Sequence, residues 1–591
     1  RQLWWGHQIP VWNRTSASVT PDAGDRWTAA GAAYNTRQVT DTEIVESVCV
    51  PPQGTLQRND RTDGSMDEAA LVAALEADGF ERDPDVLDTW FSSALWPMST
   101  MGWPHSEDFP ETQGLLDAFN PTSLLSTARE IITLWVSRMV MFNRYFMDGQ
   151  LPFEDVFIHA MVMDGHGQKM SKSLGNGVDP RDIIYSHGAD AMRFTLVQMT
   201  TDTQDVRMPV DMVCPHTGEA FTPEFITTKA GHLVAAPDQV SPSDPSKKMV
   251  SAYGVAAGIN EPSTDAPLAR NTSSKFDGGR NFSNKLWNAT RFALSRLDSE
   301  TTVAEPVRMA DARFADRWIV AKLQETVTAL EVAVDSYQFN VYADTLYDFV
   351  WRDLCDRYLE AIKPTIDDDT TQQVVLGAVL DASLRLMHPV CPFITEALWP
   401  YVSAVQAGSI HGLTLGPSNV LATASWPVAD AALADEAVIT DFDRAYNLIT
   451  QIRTLRASQN VVPKKRITLH APRVVLDLVT AADGLVETLA GLEAAVDVAD
   501  DLAAVSSPLA FEGSQVALSG LVDAVDFDAE RERLSKLIEQ KSKQAAGFRG
   551  KLSNDGYVNG APPHLVEETR GMLAEAEADL AAAQASLDGL G

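Results

Sequence analysis

Between Phe314 and Trp426 the apolar positions recur at helical spacing. Ile319, Leu323, Val327, Leu330 and Val334 fall on one predicted face, and Phe339 to Leu359 make a second helical segment rich in aromatic residues. Pro389, Pro392 and Pro400 punctuate the helices beyond it. Near the end of the chain the spacing changes to alternating fours and threes: Phe527, Arg531, Leu534, Ile538, Lys541, Ala545, Phe548 and Leu552, then Val566, Thr569, Leu573, Ala576, Leu580, Ala583 and Leu587. That pattern predicts an antiparallel helical hairpin turned at Asn554-Asp555-Gly556 and Pro562-Pro563; on spacing alone it suits a binding arm or a dimerisation element. The first part of the chain reads differently. Phe157-Ile158-His159-Ala160-Met161-Val162 is an apolar run of strand length, Asp179-Pro180 is an N-cap followed by a first helical position, Gly188 stops that helix, and Ala189 to Gln198 forms another. The fold class expected is α/β followed by all-α.

Residues 211–275 follow neither period. They are rich in Pro, Ser, Thr, Asp and Gly and are expected to form an irregular insertion or linker. Cys214-Pro215-His216 offers too few ligands for a metal, and Cys49, Cys214, Cys355 and Cys391 are scattered singly, so no protein-bound structural metal is expected. A chain of 591 residues that is 45% hydrophobic requires several cores. It shows no apolar run of membrane length and no export signal, which with sparse unpaired cysteines points to a reducing cytoplasm and no membrane partner. A net charge of -34 repels a polyanion, so any such contact falls to local basic patches. Arg453, Arg456, Lys464, Lys465 and Arg466 form an acid-free stretch, and residues 528–551 carry Arg531, Arg533, Lys536, Lys541, Lys543, Arg549 and Lys551 against four acids. Each reads as a solvated helix face or as a phosphate-binding surface.

The most informative segment is Gly167-Gln168-Lys169-Met170-Ser171-Lys172-Ser173-Leu174-Gly175-Asn176, which lies between the strand-like run and the Asp179-Pro180 helix start. Strand, glycine-rich loop, helix is the order of a phosphate site. Lys169 and Lys172 can approach the β- and γ-phosphates of ATP while the Ser171 and Ser173 hydroxyls add donors, neutralising charge that moves toward a departing pyrophosphate. In isolation such a run is also an ordinary solvated turn. The string resembles the KMSKS motif of class I aminoacyl-tRNA synthetases. Together with Arg1-Gln2-Leu3-Trp4-Trp5-Gly6-His7-Gln8-Ile9-Pro10, Leu87-Asp88-Thr89-Trp90-Phe91-Ser92-Ser93-Ala94-Leu95-Trp96-Pro97 and Gly279-Arg280-Asn281-Phe282-Ser283-Asn284-Lys285-Leu286-Trp287-Asn288, it makes nearly the whole chain similar to the valyl family of that class. Trp90-Phe91-Ser92-Ser93-Ala94 is the valyl form; isoleucyl relatives carry an aspartate and a glycine there, and leucyl relatives lack the tryptophan.

The resemblance implies ATP with Mg²⁺, L-valine and tRNA(Val) as substrates and a monomer. It assigns Lys172 and Lys169 as catalytic and places Lys169, Met170, Ser171, Lys172, Ser173 and Glu130 at ATP. It also places Trp90, Ile131 and Trp135 around valine, and the seven basic residues of 528–551 against tRNA. Ile131 and Trp135, four apart on a predicted helix, share a face, although burial alone would read all three pocket residues as core. Thr127-Ala128-Arg129-Glu130 departs from the family's Thr-Gly-aromatic-Asp: Glu130 either replaces the aspartate one methylene longer or joins a surface ion pair around Arg129. The family's His-x-Gly-His motif is absent, since neither Gly6-His7 nor His411-Gly412 has its spacing, and the sequence opens at Arg1 inside a motif. It is therefore expected to be the C-terminal part of a longer synthetase, inactive alone. The first half of the nucleotide fold and the domain that edits threonyl-tRNA would lie outside it. The alternative is a truncated synthetase-like protein that binds tRNA without aminoacylation. The expected layout is the second half of a Rossmann-like catalytic domain (1–205), an irregular insertion (206–278), a helical stem and anticodon-binding bundle (279–435), a small mixed α/β domain (436–525) and a tRNA-binding coiled-coil arm (526–591).

Overall fold

The structure, a computed structural model, describes residues 6–19, 22–50, 67–104, 106, 109–200, 204–297, 303–405, 408–428, 430–459, 461–462, 464–498, 506–521, 527–560 and 562–589. The chain divides into two compact units, Arg1–Met161 with Asp202–Asp205, and Val162–Thr201 with Val206–Gly591. The lysine-bearing loop thus belongs to the second unit.

In the first unit the strands Val11–Ser16, Ala33–Thr40, Glu43–Cys49 and Glu81–Arg82 form an antiparallel sheet packed around Trp12, Trp27, Val48, Leu75 and Phe80. A β-α-β unit follows. Thr122–Ala128 and Phe153–His159 pair in parallel, which requires a crossover, and the helix Ser137–Phe146 supplies it. Buried Asn143 on that helix exchanges amide hydrogen bonds with Asn120, at 2.8 and 3.1 Å, and pins the helix to the start of the first strand. The apolar run read as one strand over residues 157–162 is divided: Phe153–His159 ends the first unit's pair and Val162–Asp164 begins the second unit.

In the second unit Val162–Asp164 pairs in parallel with Val206–Met208. Asp179 caps the helix Pro180–His187 by accepting the Arg181 N–H at 2.9 Å, Gly188 ends it with φ 97°, and Ala189–Gln198 follows. The expectation of an irregular segment at 206–278 is corrected. Asp211–Val213, Ala220–Phe221 and Arg270–Thr272 form a three-stranded sheet, Phe225–Thr227 pairs with Leu233–Ala235, and Asp238–Val240 pairs with Lys248–Val250. Met212, Cys214, Met249 and Ala269 make its small core. Strands of two or three residues cannot display a period of two, so composition alone suggested a loop.

The helical region is as expected from its pattern, with two differences. Ile319, Leu323, Val327 and Leu330 are fully buried on the helix Phe314–Asp335, but Val334 is 43% exposed because Ala333 takes the inward position in the last turn. The aromatic-rich segment is not one α-helix: Phe339–Tyr347 runs into a π-helical stretch, Asp348–Tyr358, and then Leu359–Ile362. Thr370–Met387 is buried along nearly its whole surface. The helix Glu436–Ser458 stacks Phe442 on Trp318, with centroids 3.7 Å apart, and through Arg453 and Arg456 also holds the carbonyls of Leu489, Ala490 and Gly491, so it packs on the bundle with one part and on the mixed α/β region with another. That region is a sheet in which Ile467–Ala471 lies parallel to Leu492–Asp497 and antiparallel to Ser514–Ser519, with Ser506–Phe511 outermost. Last come Phe527–Leu552 and Pro563–Gly589, antiparallel because Lys541 pairs with Asp579 and Arg549 with Glu577. The seam residues Leu534, Ala545, Val566, Thr569, Ala576 and Ala583 are buried, and the side chain of Phe527 lies outside the described residues. No helix among the described residues is long and apolar enough to cross a membrane.

Candidate functional site

The lysine loop is organised from beneath by Asp164. This residue ends the strand Val162–Asp164, is 3% exposed, and its carboxylate accepts the backbone N–H groups of His166 (3.0 Å) and Gln168 (2.8 Å). It also accepts Gln168 Nε2 at 3.0 Å and Asn176 Nδ2 at 2.8 Å. Burial by itself would raise the Asp164 pKa, but the hydrogen bonds from Asn176, Gln168 and His166 outweigh it and hold the carboxyl below its ordinary range. Asn176 then closes the loop: its amide also reaches the Lys169 carbonyl at 3.3 Å, and its Oδ1 accepts the Ser171 N–H at 2.9 Å. Inside this clamp Ser171 Oγ lies 3.1 Å from Ser173 Oγ and accepts the Leu174 N–H at 3.2 Å.

The clamp fixes the backbone under both lysines and leaves their side chains outside. Lys169 and Lys172 are exposed, and Lys172 makes no ion pair among the described residues. Met170 points the other way, against the apolar cluster of Ile183, Met208 and Phe276, so its side chain anchors the loop. Two exposed ammonium groups over a hydrogen-bonded turn with serine donors can bind a polyphosphate and meet charge that accumulates on it. Sequence reasoning missed the supporting residues Asp164, Gln168 and Asn176. The Asp-Gly-His-Gly turn beginning at Asp164 was the available signal.

The proposed amino-acid pocket residues lie in the first unit. Asp88 caps the helix Thr89–Ala94 by accepting the Trp90 N–H at 2.8 Å. Trp135 donates its indole N–H to the Ser93 carbonyl at 3.1 Å and lies 6.1 Å from the Trp96 ring, while the Arg138 guanidinium sits 6.0 Å from the Trp90 ring centroid. Trp90 and Trp135 are thus joined through one short helix. The α-helical face predicted for Ile131 and Trp135 is corrected: Arg129–Ile131 is a 3₁₀ turn, Ile132–Val136 is π-helical, and Ile131 has φ −110° and ψ 15° between them. A four-residue separation therefore does not place them one α-turn apart. Glu130 is exposed on the 3₁₀ turn. The ion pair of Arg129 goes to Asp205, with two hydrogen bonds of 2.9 and 2.7 Å, and Asp205 also accepts the Met161 N–H at 3.2 Å. The Arg129 hydrogen bonds hold the Asp205 carboxyl below its ordinary range.

The two basic stretches differ. Arg456 is 8% exposed and donates to the carbonyls of Ala490, Gly491, Val462 and Lys465; Arg453 donates to Leu489, and Arg466 to Glu487 and Leu492. These arginines tie backbone together. On the terminal hairpin Arg531, Lys536, Lys543, Arg549 and Lys551 are exposed; Lys541 pairs with Asp579 at 2.8 Å, Lys543 with Glu539 at 2.7 Å and Arg549 with Glu577 at 2.6 Å. The side chain of Arg533 lies outside the described residues.

Three families match the chain in succession: tRNA synthetases class I (I, L, M and V) over residues 1–209, the anticodon-binding domain of tRNA ligase over 316–471, and the valyl tRNA synthetase tRNA binding arm over 526–591. The second match runs past 435, in keeping with the packing of Phe442 on Trp318. Among curated proteins, the chain is 35% identical to a valine–tRNA ligase of Rhodopirellula baltica over 98% of its length and 55% of the relative's. It is 34% identical to the valine–tRNA ligase of Streptomyces avermitilis (100% and 52%) and 31% identical to that of Thermotoga maritima (97% and 51%). The chain spans about half the length of the curated relatives it matches.

Proposed function

Because the chain belongs to the valyl-tRNA synthetases of class I, we propose that the protein carrying it is a valine–tRNA ligase, joining L-valine to tRNA(Val) with ATP converted to AMP and diphosphate. The observation that carries this reading is the lysine loop: a turn clamped by Asp164 and Asn176 that presents Lys169 and Lys172 to solvent.

In the proposed reaction the valine carboxylate attacks the α-phosphorus of MgATP. The bond to the diphosphate breaks, and the acyl group then passes from the adenylate to the terminal ribose of tRNA. Lys172 stabilises charge on the leaving diphosphate, Lys169 assists, and Ser171 and Ser173 donate hydrogen bonds. Glu130 contacts the adenylate or ribose, and Trp90, Ile131 and Trp135 enclose the branched side chain. The terminal hairpin acts as a coiled-coil arm on tRNA through its exposed cations, residues 1–205 contribute part of a Rossmann-like catalytic domain, and the protein works as a monomer in a reducing cytoplasm.

The test is valine-dependent ATP–pyrophosphate exchange by the protein at its native length. Lys172→Ala is expected to lower adenylate formation by about 10²-fold while valine binding stays unchanged. An equal loss in both would show that Lys172 does not act on the transferring phosphates.

A further inference from the structure

The ordered segment 206–278 touches the lysine loop at several separate points. Gln168 donates Nε2 to the Leu233 carbonyl at 2.7 Å and accepts the Leu233 N–H at 2.9 Å, so one side chain is paired like a strand with Leu233–Ala235. Asn271, on Arg270–Thr272, donates to the Gly175 carbonyl at 2.8 Å and to the Gly177 carbonyl at 2.7 Å. Gly175 has φ 58°, and a Cβ there would collide with the backbone of Ala252 and Tyr253. The His166 ring lies edge-on to Phe225 at 4.8 Å. Between these anchors is a cleft of about 260 Å³ whose lining includes Asp164, Gly175, Phe225, Leu233 and Asn271. The loop is therefore held by specific hydrogen bonds and a close backbone contact in addition to the packing of Met170 on Met208 and Phe276.

Asn271 is the most specific anchor. It is 7% exposed and its amide nitrogen donates to two loop carbonyls, those of Gly175 and Gly177. Only an amide offers two donors in this shape: an aspartate would turn carboxylate oxygens toward two carbonyl oxygens.

We propose that the segment 206–278 is a brace for the lysine loop, and that Asn271 and Gln168 are positioning residues that hold Lys169 and Lys172 in register with the ATP phosphates. The proposal rests on the reading of the loop as the ATP-phosphate site, and the experiment separates the two. Wild type, Lys172→Ala, Asn271→Asp and Gln168→Ala are compared at native length in ATP–pyrophosphate exchange, with transfer of valine from preformed adenylate to tRNA measured alongside. Asn271→Asp is expected to lower the exchange kcat by about tenfold, because a displaced loop costs orientation at the reacting phosphates. Its KM for valine should stay within about twofold and its transfer rate should be unchanged, a split that general loss of structure does not produce. If Lys172→Ala is impaired but Asn271→Asp keeps or exceeds the wild-type kcat, the brace is overturned and the ATP reading stands. If Lys172→Ala itself exchanges normally, both are overturned. Should Asn271→Asp fail to fold, Gln168→Ala, which breaks the Leu233 pair from the loop side, decides by the same split.

Discussion

In the helical bundle several charged groups lie inside, whereas on the terminal hairpin they ride outside the seam. Arg385 and Asp381 are 2% and 0% exposed and meet at 2.5 Å, with the remaining Arg385 donors on the carbonyls of Ser425 and Gly416. Asp316 is fully buried and accepts the Tyr358 hydroxyl at 2.7 Å and, through its two oxygens, Gln372 Nε2 at 3.4 and 3.3 Å. On the hairpin, Leu534, Ala545, Val566, Ala576 and Ala583 fill the seam and the cations pair at the surface. Residue type alone therefore does not assign a charge its job. Buried groups bear on stability and are shielded from salt, while surface groups contribute little to folding and remain open to a polyanion.

The largest expected effect tests the buried side of that contrast. Asp381→Ala leaves the Arg385 guanidinium buried without its partner and is expected to cost about 3–5 kcal/mol in denaturant unfolding. A loss below about 1 kcal/mol would place the pair with the hairpin's surface bridges.

Next comes a pH dependence. Burial raises the Asp316 carboxyl from 3.8 to about 6, against the opposing hydrogen bonds of Tyr358 and Gln372. The native state then takes up a proton before the unfolded chain does. The contribution of this group is fully present below about 3.8 and is lost as pH rises through about 6. Relative to Asp316→Asn, the wild-type bundle should gain on the order of 2–3 kcal/mol as pH falls from 7 to 4. A stability difference that stays constant with pH would mean that Asp316 does not titrate there.

The smallest effect on folding is expected on the hairpin. Replacing Lys536 and Lys551 by Gln should change stability by less than about 0.5 kcal/mol. Binding of tRNA should weaken, and the slope of log affinity against log salt should become shallower by about one for each phosphate no longer neutralised. A cooperative loss of the hairpin with unchanged RNA affinity would reverse the roles assigned to the two regions.

Elements with their own local signal were readable from the chain. Asp179, Pro180 and Gly188 bound a helix as their side chains and φ preferences require, and Leu534, Ala545, Val566, Thr569, Ala576 and Ala583 of the hairpin's alternating fours and threes are buried, whereas Arg531, which the same spacing includes, is exposed and Lys541 pairs with Asp579. What escaped is non-local. Nothing in the spacing of Ile131 and Trp135 announces a π turn, because i to i+5 pairing depends on what the helix packs against. Arg456 reads as a surface cation until the carbonyls of Ala490 and Gly491, more than thirty residues away, fold back onto it. The site shows the same division. Its lysines and serines are contiguous and legible, while Asn271 reaches Gly175 across 96 residues from a segment whose composition suggested a loop.

The fit at Gly175 also sets limits on exchange. With Ala252 and Tyr253 leaving no room for a Cβ and Asn271 clasping the carbonyls of Gly175 and Gly177, residues 167–177 and 211–275 form a matched pair. A crossover that imported one without the other would set a foreign surface against that glycine. Viable chimaeras should therefore have their junctions outside 162–278, and natural variation in either partner should be mirrored in the other.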